Sequence, residues 1–94
     1  MGLEVTVRAR RSLADALAAL AVTGLRCEVL MIDGQLRHPS APLPVAWQEA
    51  RLRTPAGMVT VRQRGDEVQL MVFGNADAAL LAARERIAAA LASV

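Results

Sequence analysis

Side chains suited to covalent or metal chemistry are few in this sequence, and they stand apart. His38 is the single histidine and Cys27 the single cysteine. A metal site needs several such ligands close together, and a hydrolytic triad needs a histidine grouped with a serine and a carboxylate. No such grouping can be identified around Ser12, Ser40 or Ser93. The sequence therefore predicts no catalytic residue, no metal ligand and no cofactor, and we expect a protein that is not an enzyme.

The glycines do not form a phosphate-binding loop either. They occur singly at the ends of predicted elements, and no glycine-rich run precedes a helix, which argues against a nucleotide cofactor. Cys27 is expected on a strand face that packs against helices, where a thiol has a raised pKa and behaves as a small apolar group. His38 is expected in an exposed loop.

Three consecutive antiparallel strands are predicted between residues 48 and 74. Thr54-Pro55-Ala56-Gly57 has proline at the second turn position and glycine at the fourth, as a type I turn prefers, and Gly65-Asp66 is a two-residue hairpin connection. Because residues that flank a turn lie opposite each other, these turns fix the register. The predicted strands are Gln48 to Thr54, Gly57 to Arg64 and Glu67 to Gly74.

This register sorts the side chains onto two faces of the sheet. The core face collects Ala50, Leu52, Val59, Val61, Leu70 and Val72. The second face combines three apolar side chains with three arginines, and these six form the candidate interface: Arg51, Arg53, Met58, Arg62, Met71 and Phe73. A contiguous apolar patch of this kind is typical of a surface that binds a partner.

The remaining segments predict three further short strands and two helices. Residues 3–10 alternate between apolar and polar side chains, as a half-buried strand does. Ser12 is expected to begin the first helix, which ends at Gly24, and Asn75 to cap a final helix that reaches about Ser93. The other predicted elements are a strand over residues 25–32, a brief return strand over residues 35–37 and a proline-rich loop over residues 38–46.

This order predicts an α+β fold. It is a two-layer sandwich with a mainly antiparallel sheet, in the order β-α-β-loop-β-β-β-α, and both helices pack on one face because each has its own apolar stripe. We expect one domain over residues 1–94. In the second strand, alternation places Val29 and Met31 with the core and Leu30 and Ile32 on the second face. Arg84 and Arg86 are expected to face water.

Composition limits the partners. All eleven basic residues are arginines, yet the formal net charge is only +2, so the high isoelectric point reflects missing lysine and tyrosine more than a basic surface. The bias towards arginine and alanine favours a GC-rich, bacterial genome. The sequence shows neither a signal-peptide pattern nor an apolar run of the roughly 20 residues that a membrane span needs. We expect a cytoplasmic protein that does not enter a membrane.

Two interpretations of the second face stay open. The proline-rich segment, with Leu43, Val45 and Trp47, could fold across it, or the face could bind a partner. A two-fold homodimer is the commonest arrangement for a small protein.

Three functions follow in order of preference. The first is a noncatalytic interaction module, such as a homodimeric accessory or scaffold protein. The second is a sheet that binds RNA or single-stranded DNA through Arg51, Arg53, Arg62 and Arg64 beside Phe73. The third is a carrier of an apolar ligand, in a pocket lined by Leu20, Cys27, Val61 and Leu80.

Overall fold

The computed structural model describes residues 4–38, 40–44, 46–74 and 76–93, and it confirms the α+β sandwich. A single six-stranded sheet has the order β1-β6-β5-β4-β2-β3, and every described pairing is antiparallel. The strands are β1 (Glu4–Arg8), β2 (Glu28–Ile32), β3 (Gln35–Leu36), β4 (Glu49–Thr54), β5 (Gly57–Arg64) and β6 (Glu67–Met71). The helices are α1 (Leu13–Val22) and α2 (Ala78–Ala92).

Both helices contribute their apolar stripes to one core on one face of the sheet. The predicted row of Ala50, Val61 and Leu70 is confirmed, and all three side chains are fully buried. The helices add Leu13, Ala16, Leu20, Leu80, Ile87, Ala88 and Leu91 to the same cluster. Since only alternate strand residues enter this cluster, the opposite face of the sheet is a separate surface.

The two predicted hairpins set the register of β4, β5 and β6. Thr54 pairs with Gly57, and the buried Thr54 hydroxyl accepts hydrogen bonds from the Ala56 and Gly57 backbone N–H groups, both at 3.1 Å. Gly65 has a φ of +63°, which an L-residue adopts only with strain. Strand β6 ends at Met71, earlier than the predicted Gly74.

The alternation predicted for the second strand is wrong, because β2 contains a bulge. Val29 pairs with Leu52 while Met31 pairs with Arg51, so Leu30 is an extra residue between them. A bulge shifts every later side chain to the other face. Ile32 is therefore buried in the core, and Met31 lies on the opposite face.

Both helices begin at a capping side chain, but the residue that caps α2 is not the predicted one. The Ser12 hydroxyl accepts from the Asp15 N–H at 3.1 Å, as expected for the start of α1. Asp77 caps α2 by accepting from the Leu80 N–H at 2.8 Å. The predicted cap Asn75 lies outside the described residues, but the cap position itself belongs to Asp77.

The prediction for Arg84 is also wrong. Its side chain is only 12% exposed and pairs with Glu85 at 2.7 Å. Arg86 is exposed, as predicted, and it donates to the backbone carbonyl and the hydroxyl of Thr23 at 3.1 and 2.8 Å. Arg86 therefore joins α2 to the end of α1.

The Asp33 side chain joins the β2–β3 turn to the start of β4 through hydrogen bonds. Asp33 and Gly34 both have positive φ, at 51° and 82°, as the two-residue hairpin between β2 and β3 requires. The Asp33 carboxylate accepts hydrogen bonds from the backbone N–H groups of Gln48 and Glu49, both at 2.9 Å. The turn thus holds the first residues of β4, the strand that carries Arg51 and Arg53.

We expect Asp33→Ala to lower the free energy of unfolding by about 1–2 kcal/mol, because two backbone donors lose a charged acceptor. Chemical denaturation followed by circular dichroism measures this loss. Asp33→Asn is the matched control, since asparagine keeps the acceptor oxygen and tolerates a positive φ. Equal losses in the two variants would show that the hydrogen bonds to β4 contribute little.

Candidate functional site

The sheet face opposite the helices is the candidate site, and we call it the open face. It consists of the outward-facing side chains of the strands together with Phe73, which follows β6. By register its members are Glu4, Thr6, Arg8, Glu28, Met31, Leu36, Glu49, Arg51, Arg53, Met58, Thr60, Arg62, Arg64, Glu67, Gln69 and Met71.

The six predicted interface residues fall on the open face. Arg51 and Met71 lie in one row, with Thr60 between them, and Arg53 pairs with Met58 in the next. Arg62 pairs with Gln69 in the row on the other side. Phe73 lies two residues beyond Met71, past the last paired position, and because Val72 is buried in the core, alternation directs Phe73 to the open face.

Exposure differs sharply between the centre and one end of this face. Phe73 is 70% exposed and Met58 is 42% exposed, whereas Met71 and Thr60 are buried. Met71 and Thr60 lie on the central strands β6 and β5. Among the six predicted residues, the apolar surface available to a partner therefore lies at the Phe73 and Met58 end.

Sequence reasoning missed two apolar members of the open face. Met31 reaches it because of the bulge at Leu30, and Leu36 pairs with Met31 in the edge strand β3. Leu36 is 83% exposed. The continuous apolar run Val29 to Ile32 has no period-two pattern, so nothing in it could have revealed the bulge; the Asp33-Gly34 turn did predict β3 itself.

The three predicted interface arginines are paired with carboxylates of the open face. Arg53 contacts Glu28 at 2.8 Å, across the β4–β2 pairing. Glu49 contacts Arg62 at 3.1 Å and Arg51 at 3.6 Å. Each predicted interface arginine thus has an internal counter-charge, so this surface is mixed in sign and close to neutral.

The edge of the open face along β1 is also hydrogen bonded. The Gln69 side chain donates to the Glu4 carboxylate at 2.9 Å, and Arg8 pairs with Asp66 at 3.2 Å. Both Arg8 and Asp66 are about two thirds exposed, so this ion pair adds little stability. Glu4 and Arg8 place opposite charges at the two ends of β1.

The proline-rich segment does not cover the open face, so that interpretation is wrong for its described residues. Leu43 and Trp47 pack against the core cluster on the helix side of the sheet. Leu43 and Pro44 line a cavity together with Leu13 of α1. Ser40 likewise lies beside α1, near Cys27. Val45 lies outside the described residues. The described part of this segment therefore extends the helix layer.

The isolated reactive residues lie away from the open face. Cys27 is half-buried, and burial raises the pKa of its thiol although the positive charge of Arg86 acts in the opposite direction. His38 is exposed, and its Nδ1 lies 2.7 Å from the Ser40 hydroxyl. Within the described ranges, no three His, Cys, Asp or Glu side chains are grouped to hold a metal ion.

The predicted ligand pocket is filled by the core itself. Leu20, Val61 and Leu80 belong to the buried cluster, and Cys27 packs at its margin. A separate cavity of about 290 Å³ lies between the start of α1, the proline-rich segment and the end of the sheet, with Trp47 in its wall. The described helices include none with the length and apolar character to span a membrane.

No family model, curated protein or solved structure matches this chain.

Proposed function

We propose that this protein is a noncatalytic protein-interaction module, that the open face is its binding surface, and that the partner is a second copy of the chain. The observation that supports this most is a sheet face that carries Phe73, Met58 and Leu36 in exposed positions and that is not covered by either helix. Exposed apolar side chains on an uncovered sheet face commonly mark an interaction surface.

The chemistry of the face suits a protein partner. Methionine, aromatic residues and arginine are enriched in protein interfaces. Here Met58 and Phe73 supply the exposed apolar area, while Arg51 and Arg53 supply planar donors with long aliphatic stems. Sheets that pack face to face need such side chains to fill the roughly 10 Å between them.

A second copy is the partner that the charges favour. The open face holds both signs, with Glu4 and Glu28 near opposite edges and Arg51 and Arg62 on the central strands. A two-fold axis can therefore place arginines of one copy against carboxylates of the other. A partner of strongly single-signed charge would leave half of these side chains opposed by like charge.

Nucleic acid is the weaker candidate because three of its four candidate arginines, Arg51, Arg53 and Arg62, are already paired. A phosphate would compete with Glu28 for Arg53 and with Glu49 for Arg51 and Arg62. We expect no change in fluorescence anisotropy when labelled single-stranded DNA or RNA is titrated with protein to about 100 µM at physiological salt, the weak limit of ordinary non-specific binding.

Glu49→Gln is the variant that sharpens this test, since it frees two arginines without changing the shape of the face. The proposal predicts at most weak binding by Glu49→Gln, and only at low salt. Binding by the wild type that weakens steeply between about 50 and 200 mM salt would instead assign the open face to phosphate contacts.

The molar mass in solution tests whether the chain forms a homodimer. We expect multi-angle light scattering to give a mass above that of the 94-residue monomer, falling towards it on dilution. A monomer at all concentrations up to about 1 mM, the weak end of measurable affinities, would contradict self-association.

A further inference from the structure

Strand β1 is the one long free edge among the described strands. The sheet ends at β1 on one side and at β3 on the other, and β3 has only two residues. An exposed edge strand presents unpaired backbone groups, and natural proteins shorten, charge or cover such edges to prevent pairing. Strand β1 has five residues, Glu4–Arg8, and carries charge of both signs.

The backbone groups at this edge can be assigned from the pairing with β6. Ala9 donates its N–H to the Asp66 carbonyl at 3.0 Å, towards β6. In a strand, successive residues direct their backbone N–H and C=O groups to alternate sides. Val5 and Val7 therefore bond towards β6, and Glu4, Thr6 and Arg8 direct their backbone groups to the free edge.

The sequence of β1 is complementary to itself when it is reversed. An antiparallel copy centred on Thr6 places Glu4 opposite Arg8 of the second copy and Thr6 opposite Thr6. These are the residues whose backbone groups point outward, so each such pair can exchange two N–H···O bonds. On the other face of the sheet, the same register places Val5 opposite Val7.

We infer that two copies of this chain pair along β1, in an antiparallel register centred on Thr6, to form one continuous sheet across a two-fold axis. Opposite charges directly across an antiparallel pair are stabilising, as are pairs of threonines and of β-branched residues. Val5 and Val7 are only partly buried in one chain, and pairing removes their remaining exposed surface from water.

The charges on β1 do not protect this edge in the usual way. A protective edge carries charges of one sign, which repel a second copy. Here Glu4 and Arg8 are equally spaced on either side of Thr6, so a reversed copy meets attraction at both positions. Arg8 is 70% exposed and therefore accessible to the second chain.

This inference is independent of the proposed use of the open face. The two-fold axis of the β1 contact runs perpendicular to the sheet, whereas packing of two open faces needs an axis parallel to the sheet. The two contacts can therefore coexist, in an assembly larger than a dimer. Glu4 and Arg8 also lie at the margin of the open face, so a fall in mass for one charge variant alone does not separate the two contacts. Recovery of mass on mixing and the backbone variant below do separate them, because both depend on the β1 register.

The test uses two charge reversals in the full-length chain. Glu4→Arg gives a strand with two positive ends, and Arg8→Glu gives one with two negative ends. Each reversal places like charges opposite each other in the self-pairing register. We expect a twofold drop in molar mass by light scattering for each variant, with an unchanged circular dichroism spectrum, because both positions are exposed.

Mixing the two variants supplies the decisive control. In a mixed pair every charged position of β1 again faces an opposite charge, so we expect the mass to return to that of the wild type. The double variant Glu4→Arg/Arg8→Glu should also recover this mass on its own. Unchanged mass in the single variants, or no recovery on mixing, would overturn the inference.

A backbone test covers the case in which charge reversal disturbs the fold. The Thr6 N–H points to the free edge, so Thr6→Pro removes a donor that the isolated sheet does not use, and edge positions tolerate proline. We expect Thr6→Pro to fold and to show the same twofold drop in mass. Val7→Pro removes a donor directed at β6 and should unfold β1. A Thr6→Pro variant with wild-type mass would reject pairing along β1.

Discussion

Phe73→Glu is expected to abolish association through the open face while the chain stays folded. Phe73 is 70% exposed, so a glutamate there meets water in the single chain. In an interface the same carboxylate would be desolvated among apolar side chains, and loss of an aromatic hot-spot residue costs about 2 kcal/mol or more, a loss of about thirtyfold or more in affinity. Light scattering over a dilution series measures this change.

Val22→Glu is the matched control for this substitution. Val22 is an apolar residue that is 87% exposed, but it lies at the end of α1, on the other layer of the molecule. We expect Val22→Glu to associate as the wild type does. If Phe73→Glu and the wild type have the same mass, the open face is not the contact; if Phe73→Glu unfolds the chain, Phe73 has a structural role that its exposure does not indicate.

Val61→Glu is expected to prevent folding. Val61 has no exposed surface and lies between Ala50 and Leu70 at the centre of the core face. A buried carboxyl group without a partner costs several kcal/mol, a large part of the roughly 5–15 kcal/mol by which a domain is stable. Thermal unfolding followed by circular dichroism should show no cooperative transition.

Gln63→Glu provides the comparison on the same strand. Gln63 is exposed two residues further along β5, so the same new charge stays in water. We expect the midpoint temperature of Gln63→Glu to lie close to that of the wild type. A cooperative transition for Val61→Glu near the wild-type temperature would contradict the assigned core face.

The sequence predicts the pairing of β4, β5 and β6 best, because two tight turns determine it. The connections Thr54 to Gly57 and Gly65-Asp66 fix the pairing of three strands, and each pair expected within the bounds of β4, β5 and β6 is present. The bulge in β2 was not predictable, because four consecutive apolar residues fit either face. The cap of α2 was placed two residues too early, since Asn75 and Asp77 are both good capping residues.

The sequence predicted the central residues of the candidate site but not all of those near its edges. The six expected residues share the open face because the register was right. Met31 depended on the bulge, and the ion pair of Glu28 with Arg53 depended on the strand order, which local sequence does not contain. Arg84 was expected in water because it is charged, yet its side chain is only 12% exposed.

Trp47 offers a way to observe the two faces of the sheet separately. It is the only tryptophan in a chain without tyrosine, and it packs at the margin of the core on the helix side. Its emission spectrum therefore reports the surroundings of one indole, on the side of the sheet away from Phe73. Loosening of the helix layer should shift this spectrum, whereas binding at the open face should leave it almost unchanged.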